Sequence, residues 1–248
     1  LANITRSWKR FLAVGCSHGF LADQAILREV LRFKARWKPH TTIHLGDAID
    51  LACLRAGALG TADDSVDPDH DLQMGVAFLR QLEPQAFCLG NHEHRLISLM
   101  DSPRALVASL AGRVYQDIES ETRRLRAKLL PYDLKRGWLP LGSALFGHGY
   151  FCNSEAVRDH AETVCNGTHT QVVIAHLHRV MQAEGRRLDA PTGYCVGTLM
   201  DISQAHYAAN RRATTSWSRG FAWGEYTTDE TQIWLAKETK GGAFRLPV

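Results

Sequence analysis

The sequence predicts an α/β fold, on three observations. Short apolar runs alternate with longer amphipathic ones, the rhythm of strands and helices. Polar clusters rich in Asp, Asn and His follow those apolar runs, the place where open α/β sheets hold their ligands. The last quarter returns to short β-like segments separated by turn-rich pieces, which are expected to complete a second sheet. With 248 residues and 45% hydrophobic content, the chain can bury a core of normal size. One domain spanning 1–248 is expected, with a helical cap inserted over about 96–140.

The elements follow in order. Arg10 to Gly15 is the first strand. Ile26, Val30, Phe33 and Trp37 then recur at i, i+4, i+7 and i+11, a helical stripe that Pro39 ends. Thr41 to Leu45 makes the second strand, Asp71 to Leu82 a second helix stopped by Pro84, and Ala86 to Leu89 a third strand. Between His94 and Pro140 the pattern is mostly helical, with Ile118, Thr122, Leu125 and Leu129 on one stripe. Ser143 to Phe146 and Gln171 to Ala175 are two further strands, and Gly220 to Tyr226, Gln232 to Ala236 and Ala243 to Leu246 close the series.

Composition excludes some classes. A net charge of +3, from 29 basic and 26 acidic side chains, is too mild to predict a polyanionic partner, so nucleic acid is allowed and not implied. No apolar run approaches the ~18 residues of a membrane span, and Phe11 to Val14 is too short for a signal-peptide core. The six cysteines have no CxxC or framework spacing, as expected of a reduced, cytoplasmic protein.

Five clusters carry the chemistry: Cys16-Ser-His18, Gly46-Asp47-Ala-Ile-Asp50, Gly90-Asn91-His92-Glu93, Gly147-His148 and His176-Leu-His178. Each follows a predicted strand. A cleft for two cations needs an anionic bridge, neutral imidazoles to finish each coordination sphere and an open edge for water and substrate. Asp47 suits the bridge. Cys16, His18 and one C-terminal histidine can complete one metal, and Asn91, His148 and the other C-terminal histidine the second. If extended, His176 and His178 point to one side and one strand end feeds both metals. Two divalent ions, offset by Asp47, a Cys16 thiolate and a hydroxide, leave one positive charge, which a phosphodiester monoanion neutralises. Bound water deprotonated near pH ~7 then serves as nucleophile, and His92 can protonate the leaving oxygen.

In order and spacing, CSH, GDAID, GNHE, GH and AHLH resemble the calcineurin-like metallophosphoesterases, whose pattern is DxH, GDxxD, GNH(D/E), H and GHxH. The likeness spans roughly residues 10 to 180, and the segment Gly197 to Tyr226 is similar to phage-type and bacterial members. It implies a two-sheet sandwich flanked by helices, a binuclear centre of zinc, iron or manganese, and hydrolysis of phosphate esters, phosphodiesters above all, with DNA or RNA cleavage as the alternative. It further implies that His18, Asp47 and His178 join residue 16 on one metal, that Asp47, Asn91, His148 and His176 hold the other, and that His92 contacts the phosphate. Asp50 and Glu93 match positions that support ligands.

This chain departs from the pattern at Cys16, in place of the first aspartate, and at Ala175, in place of a glycine. A Cys16 thiolate keeps the charge, lengthens the bond to ~2.3 Å and favours zinc or iron over magnesium. Alternatives are a weakened site or an inert thiol. Gly15-Cys-Ser17-His-Gly19 also satisfies GxSxG, the nucleophile elbow of serine hydrolases, although here it follows the first strand. A catalytically impaired scaffold is the non-enzymatic reading. The acidic stretch Asp63 to Asp71 lacks the glycine and glutamate of a calcium loop and reads as solvated. Arg123, Arg124, Arg126 and Lys128, like Arg211 and Arg212, are surface cations that can touch a phosphate backbone. Trp138, Trp217 and Trp223 are core or stacking residues. The remaining histidines, His40, His44, His70, His94, His160, His169 and His206, are left structural, with His94 nearest to a phosphate role.

Overall fold

The computed structural model describes residues 7–205, 208 and 212–246. His206 and Arg211 lie outside them, as does the Arg212 side chain. The strands form two sheets. The first runs β11-β10-β1-β2-β3-β4, from β1 (Lys9–Val14), β2 (Thr41–His44), β3 (Ala86–Cys88), β4 (Lys128–Leu130), β10 (Gly220–Tyr226) and β11 (Thr231–Lys237). The second runs β5-β6-β7-β9-β8, from β5 (Leu139–Leu141), β6 (Ala144–Phe146), β7 (Gln171–Ile174), β8 (Val180–Glu184) and β9 (Thr192–Val196). β1 to β4 are mutually parallel, as are β6, β7 and β9.

Strand alternation builds the layers. Phe11 and Ala13 of β1 face inward with Ile43, Ala86 and Leu130, against Ala144, Phe146 and Val173 of the second sheet. The Phe11 and Phe146 rings meet edge to face at 5.0 Å between centroids. Leu12 and Val14 face the other way, onto α1 (Gln24–Trp37). This helix starts where Asp23 accepts from the backbone N–H of Ala25 and Ile26, and it stops at Lys38, left-handed at φ 50° before Pro39. Its predicted stripe of Ile26, Val30, Phe33 and Trp37 is buried. Each such side chain contributes about 1.5–3 kcal/mol of burial. α2 (Pro68–Leu82) joins the same layer, and α5 (Ala156–Val164) covers the outer face of the second sheet through Val157 and Ala161. The result is helices, sheet, sheet, helix, the predicted class.

Three details differ from expectation. β10 and β11 extend the first sheet, with β10 antiparallel to β1, because Phe221 and Trp223 complete the apolar patch over α1. Of the segment Ala243 to Leu246, only Phe244 makes a bridge, to Glu238. The segment over about 96–140 is helical only in its first part. There α3 (Asn91–Met100) and α4 (Ala105–Arg124) pack Leu96, Ala111, Val114 and Ile118 onto Phe87 and Leu89 of the first sheet. β4 and β5 then enter the two sheets, so α3 and α4 form the crossover from β3 to β4. No helix among the described residues is long and apolar enough to cross a membrane.

Candidate metal centre

The five clusters follow β1, β2, β3, β6 and β7, four in loops and the third, Asn91 to Glu93, in the first turn of α3, and the topology brings them to one end of the sandwich. Ligand-type atoms of Cys16, His18, Asp47 and His178 all lie within 4.8 Å of one another, and so do those of Asp47, His148 and His176. Asn91 Oδ1 closes the second group, 3.0 Å from His148 Nε2 and 2.9 Å from His176 Nδ1. Asp47 belongs to both groups.

Backbone strain accompanies this convergence. Cys16, His18, Asp47, His176 and His178 all have left-handed φ between 52° and 57°. Such conformations persist in non-glycine residues only where the surroundings over-determine them. The expectation of an extended His176-Leu-His178 is therefore corrected: the segment bends, sending His176 to Asn91 and His178 to His18. Two motif glycines admit the crowding. A Cβ on Gly46, at φ 97°, would stand 2.7 Å from His148 Nδ1, and one on Gly90 would overlap the Asp47 carboxylate.

Hydrogen bonds orient the imidazoles. His18 Nδ1 lies 2.9 Å from Asp50 Oδ1, and His148 Nδ1 lies 2.7 Å from the Leu45 carbonyl, so each donates from Nδ1 and turns Nε2 inward. His18 Nε2 then faces His178 Nε2 at 3.0 Å, while His148 Nε2 faces two acceptors, Asn91 Oδ1 and Asp47 Oδ2 at 3.2 Å. Lone pairs converging on lone pairs and carboxylate oxygen repel unless a cation or a proton lies among them. His178 Nδ1 is buried with no partner. The donor set, thiol, imidazole, carboxylate and amide oxygen, fits borderline divalent ions.

The buried charges favour a cation as well. Burial, then Asp47, pushes the Cys16 thiol well above its ordinary range, although the His176 N–H donates to Sγ at 3.2 Å. It becomes a thiolate only where a cation replaces its proton. Burial raises Asp47, but His148, His92 and His18 outweigh it and hold the carboxyl well below the usual range. Burial lowers His18 and His148 too, and there Asp50 and Asp47 prevail and leave both raised. His176 is pushed down to about 3, first by burial and then by His148.

Supporting residues surround this set. Glu93 accepts from the backbone N–H of Asp47, Ala48, Ile49 and Gly90, clamping the loops after β2 and β3 together. His92 donates its backbone N–H to Asp47 Oδ1 at 3.0 Å, and its ring Nδ1 lies 2.7 Å from the Asp50 carbonyl. The ring is partly exposed, and burial, opposed by Asp47 and Asp50, keeps its pKa low.

Two residues escaped sequence reasoning. Arg95 lies 2.8 Å from His92 Nδ1 and donates to the Asp50 carbonyl. Its i, i+3 spacing from His92 on α3 was the available signal. Asp71, expected in a solvated stretch, is buried and accepts from the N–H of Phe20, Asp50 and Leu51, tying the loops after β1 and β2. It lies one residue before Leu72 on the buried stripe of α2, a phase that could have revealed it.

Other candidates fall away from the centre. Ser17 is fully buried, its hydroxyl 3.1 Å from His44 Nε2, so the GxSxG reading has a nucleophile that no substrate reaches. Trp223 packs on Trp37 and Phe33 in the core, and Trp138 donates to Leu134, whereas the Trp217 ring stands 4.4 Å from that of His178. His94 contacts Tyr132, one ring removed from His148. Arg124 and Arg80 pair with Glu121.

No family model and no curated protein matches the chain. Among solved structures, it is similar to Vps29 complexed with zinc from Entamoeba histolytica, at 11% identity, 95% of this chain, 96% of that one and a TM-score of 0.49. It is also similar to Chaetomium thermophilum Vps29, at 12% identity, 95% and 93% coverage and a TM-score of 0.48. A third is the Pseudomonas putida nuclease MPE, at 14% identity, 90% and 87% coverage and a TM-score of 0.41.

Proposed function

We propose that this chain is a calcineurin-like metallophosphoesterase that hydrolyses phosphodiesters at a two-metal centre. The observation that carries the reading is the arrangement of donors: two groups share Asp47, and their imidazole lone pairs face each other or an oxygen at about hydrogen-bond distance. Cys16, His18, Asp47 and His178 would hold one ion, and Asp47, Asn91, His148 and His176 the other, with zinc, iron or manganese suited to the thiolate. Such ions supply an activated water at neutral pH and offset charge at phosphorus.

The protein's own residues do the rest. Asp50 and the Leu45 carbonyl fix the His18 and His148 tautomers, while Glu93 holds Asp47 in place. His92, anchored at Nδ1 by the Asp50 carbonyl, presents Nε2 towards the centre; a neighbouring anionic substrate favours its protonation from water, and that proton goes to the leaving oxygen. Arg95 donates to the same Asp50 carbonyl and adds positive charge for the phosphate. All six cysteines are free thiols, which supports a reducing compartment such as the cytoplasm.

The test is hydrolysis of bis(p-nitrophenyl) phosphate by purified protein, before and after chelation, with zinc, manganese and iron restored separately. Activity lost on chelation and regained with one of these ions supports the proposal. Activity indifferent to chelation would move the chemistry to a side-chain nucleophile, and no activity with any ion would favour the scaffold reading.

A further inference from the structure

A cavity of about 420 Å³ opens directly beside His176, within the range of roughly 300–1,000 Å³ typical of small-molecule sites. Its walls include Leu177, Asn153, Arg179 and Trp217, and among the described residues they carry one formal cation and no carboxylate. Arg179 is held there by donation from Nη2 to the Asn153 carbonyl at 2.9 Å, while its buried Nε has no partner. Among the described residues it has no carboxylate in ion-pair range. A guanidinium so fixed and unneutralised suits an anion.

Trp217 supplies the second element. It packs against the cluster of Leu21, Met200, Ala205 and Ala208, meets the His178 ring at 75°, and lines the cavity. An aromatic side chain supported by the core and presented to a cavity is a platform for another ring. His176 lines the same cavity and is a proposed ligand, so a group seated there is continuous with the phosphate under attack.

We propose that this cavity binds a nucleotide unit of the substrate, the base against Trp217 and a flanking phosphate on Arg179. The inference deepens the phosphodiesterase reading and narrows its substrate class to nucleoside phosphates. It is tested by binding to chelated protein, so it can fail while hydrolysis of simple diesters succeeds, and the reverse.

Calorimetric titration with AMP, ribose 5-phosphate and adenosine separates the two elements. AMP should bind about 10-fold tighter than ribose 5-phosphate, a base-stacking increment. Trp217→Ala should abolish that difference and Trp217→Phe should retain it, which distinguishes a lost platform from a damaged fold. Arg179→Gln should weaken AMP and ribose 5-phosphate alike by about 10-fold, with adenosine little changed. Equal binding of AMP and ribose 5-phosphate to the wild type, or a Trp217→Ala variant that keeps the preference, would overturn the proposal. Added pentanucleotide distinguishes the sources: tighter binding than AMP marks a strand, and equal binding a free nucleotide, both upholding the nucleotide subsite.

Discussion

Around Cys16 the centre is dry, and around Asn91 it is open. Cys16, His18 and His178 are buried, whereas Asn91 and His176 are partly exposed and His176 lines the cavity. Asp47, buried, joins the two halves. The contrast assigns different work to similar donors. On the proposed two-metal reading, the closed half would hold an ion tightly with a soft ligand, and the open half would admit water and ester. Two buried imidazoles and a buried thiol suit a permanent fixture; an amide oxygen and a half-open imidazole suit a place of exchange.

Asp47→Asn should collapse the distinction, because it removes the charge both halves use. The expected loss in kcat/KM is at least ~10³-fold, about 4 kcal/mol of transition-state stabilisation, read from steady-state hydrolysis of the aryl diester. His92→Asn removes the proton donor and leaves every proposed ligand in place. It should lower kcat by about 10²–10³-fold with metal content retained, and the high-pH limb of the wild-type profile, where the proton on His92 is lost, should disappear.

Cys16→Ser tests the dry half. A rate about 10–100-fold lower is expected, whereas Cys16→Asp should keep activity and shift its preference from zinc towards manganese, a harder ion. If zinc and manganese preference is the same in all three proteins, Cys16 is not a ligand.

Some of this arrangement is legible in the sequence and some is not. His18, Asp47, Asn91, His148, His176 and His178 stood out because strand ends and motif order coincide, and both are local. The sheet that β10 joins was not legible, since Phe221 and Trp223 choose their partner through α1, far away in sequence. β4, three residues long, is too short for any period to show. Nor does a pattern announce left-handed backbone at Cys16 or His178, where packing of neighbouring loops imposes it. Asp71 was hidden by its acidic neighbours: Asp67 caps α2 and Asp69 pairs with Arg113 on the surface, while Asp71 alone turns inward.

Asp71 lends the comparison a stability test. Asp71→Ala leaves the N–H groups of Phe20, Asp50 and Leu51 without an acceptor, at a cost of about 1–3 kcal/mol. Burial pushes its carboxyl up to about 6 in the folded protein, despite those hydrogen bonds. A raised folded pKa contributes stability that is present below the unfolded value, ~4, and is lost as pH rises through about 6. Urea unfolding of chelated protein should therefore show stability falling between these limits more steeply in wild type than in Asp71→Ala, by on the order of 3 kcal/mol. Parallel curves would show that Asp71 titrates normally. The smallest effect belongs to Ser17→Ala, which removes one buried hydrogen bond to His44, worth about 1 kcal/mol of stability, and leaves the hydrolysis rate unchanged.

The most direct test is the number of metal ions per chain, by plasma mass spectrometry after loading with zinc and exhaustive dialysis. Two in the wild type, one in Asn91→Ala with the Cys16 half still filled, and one or none in Cys16→Ser is the expected result. Retention of two ions in both variants, or of none in the wild type, would contradict a centre built on two halves around Asp47.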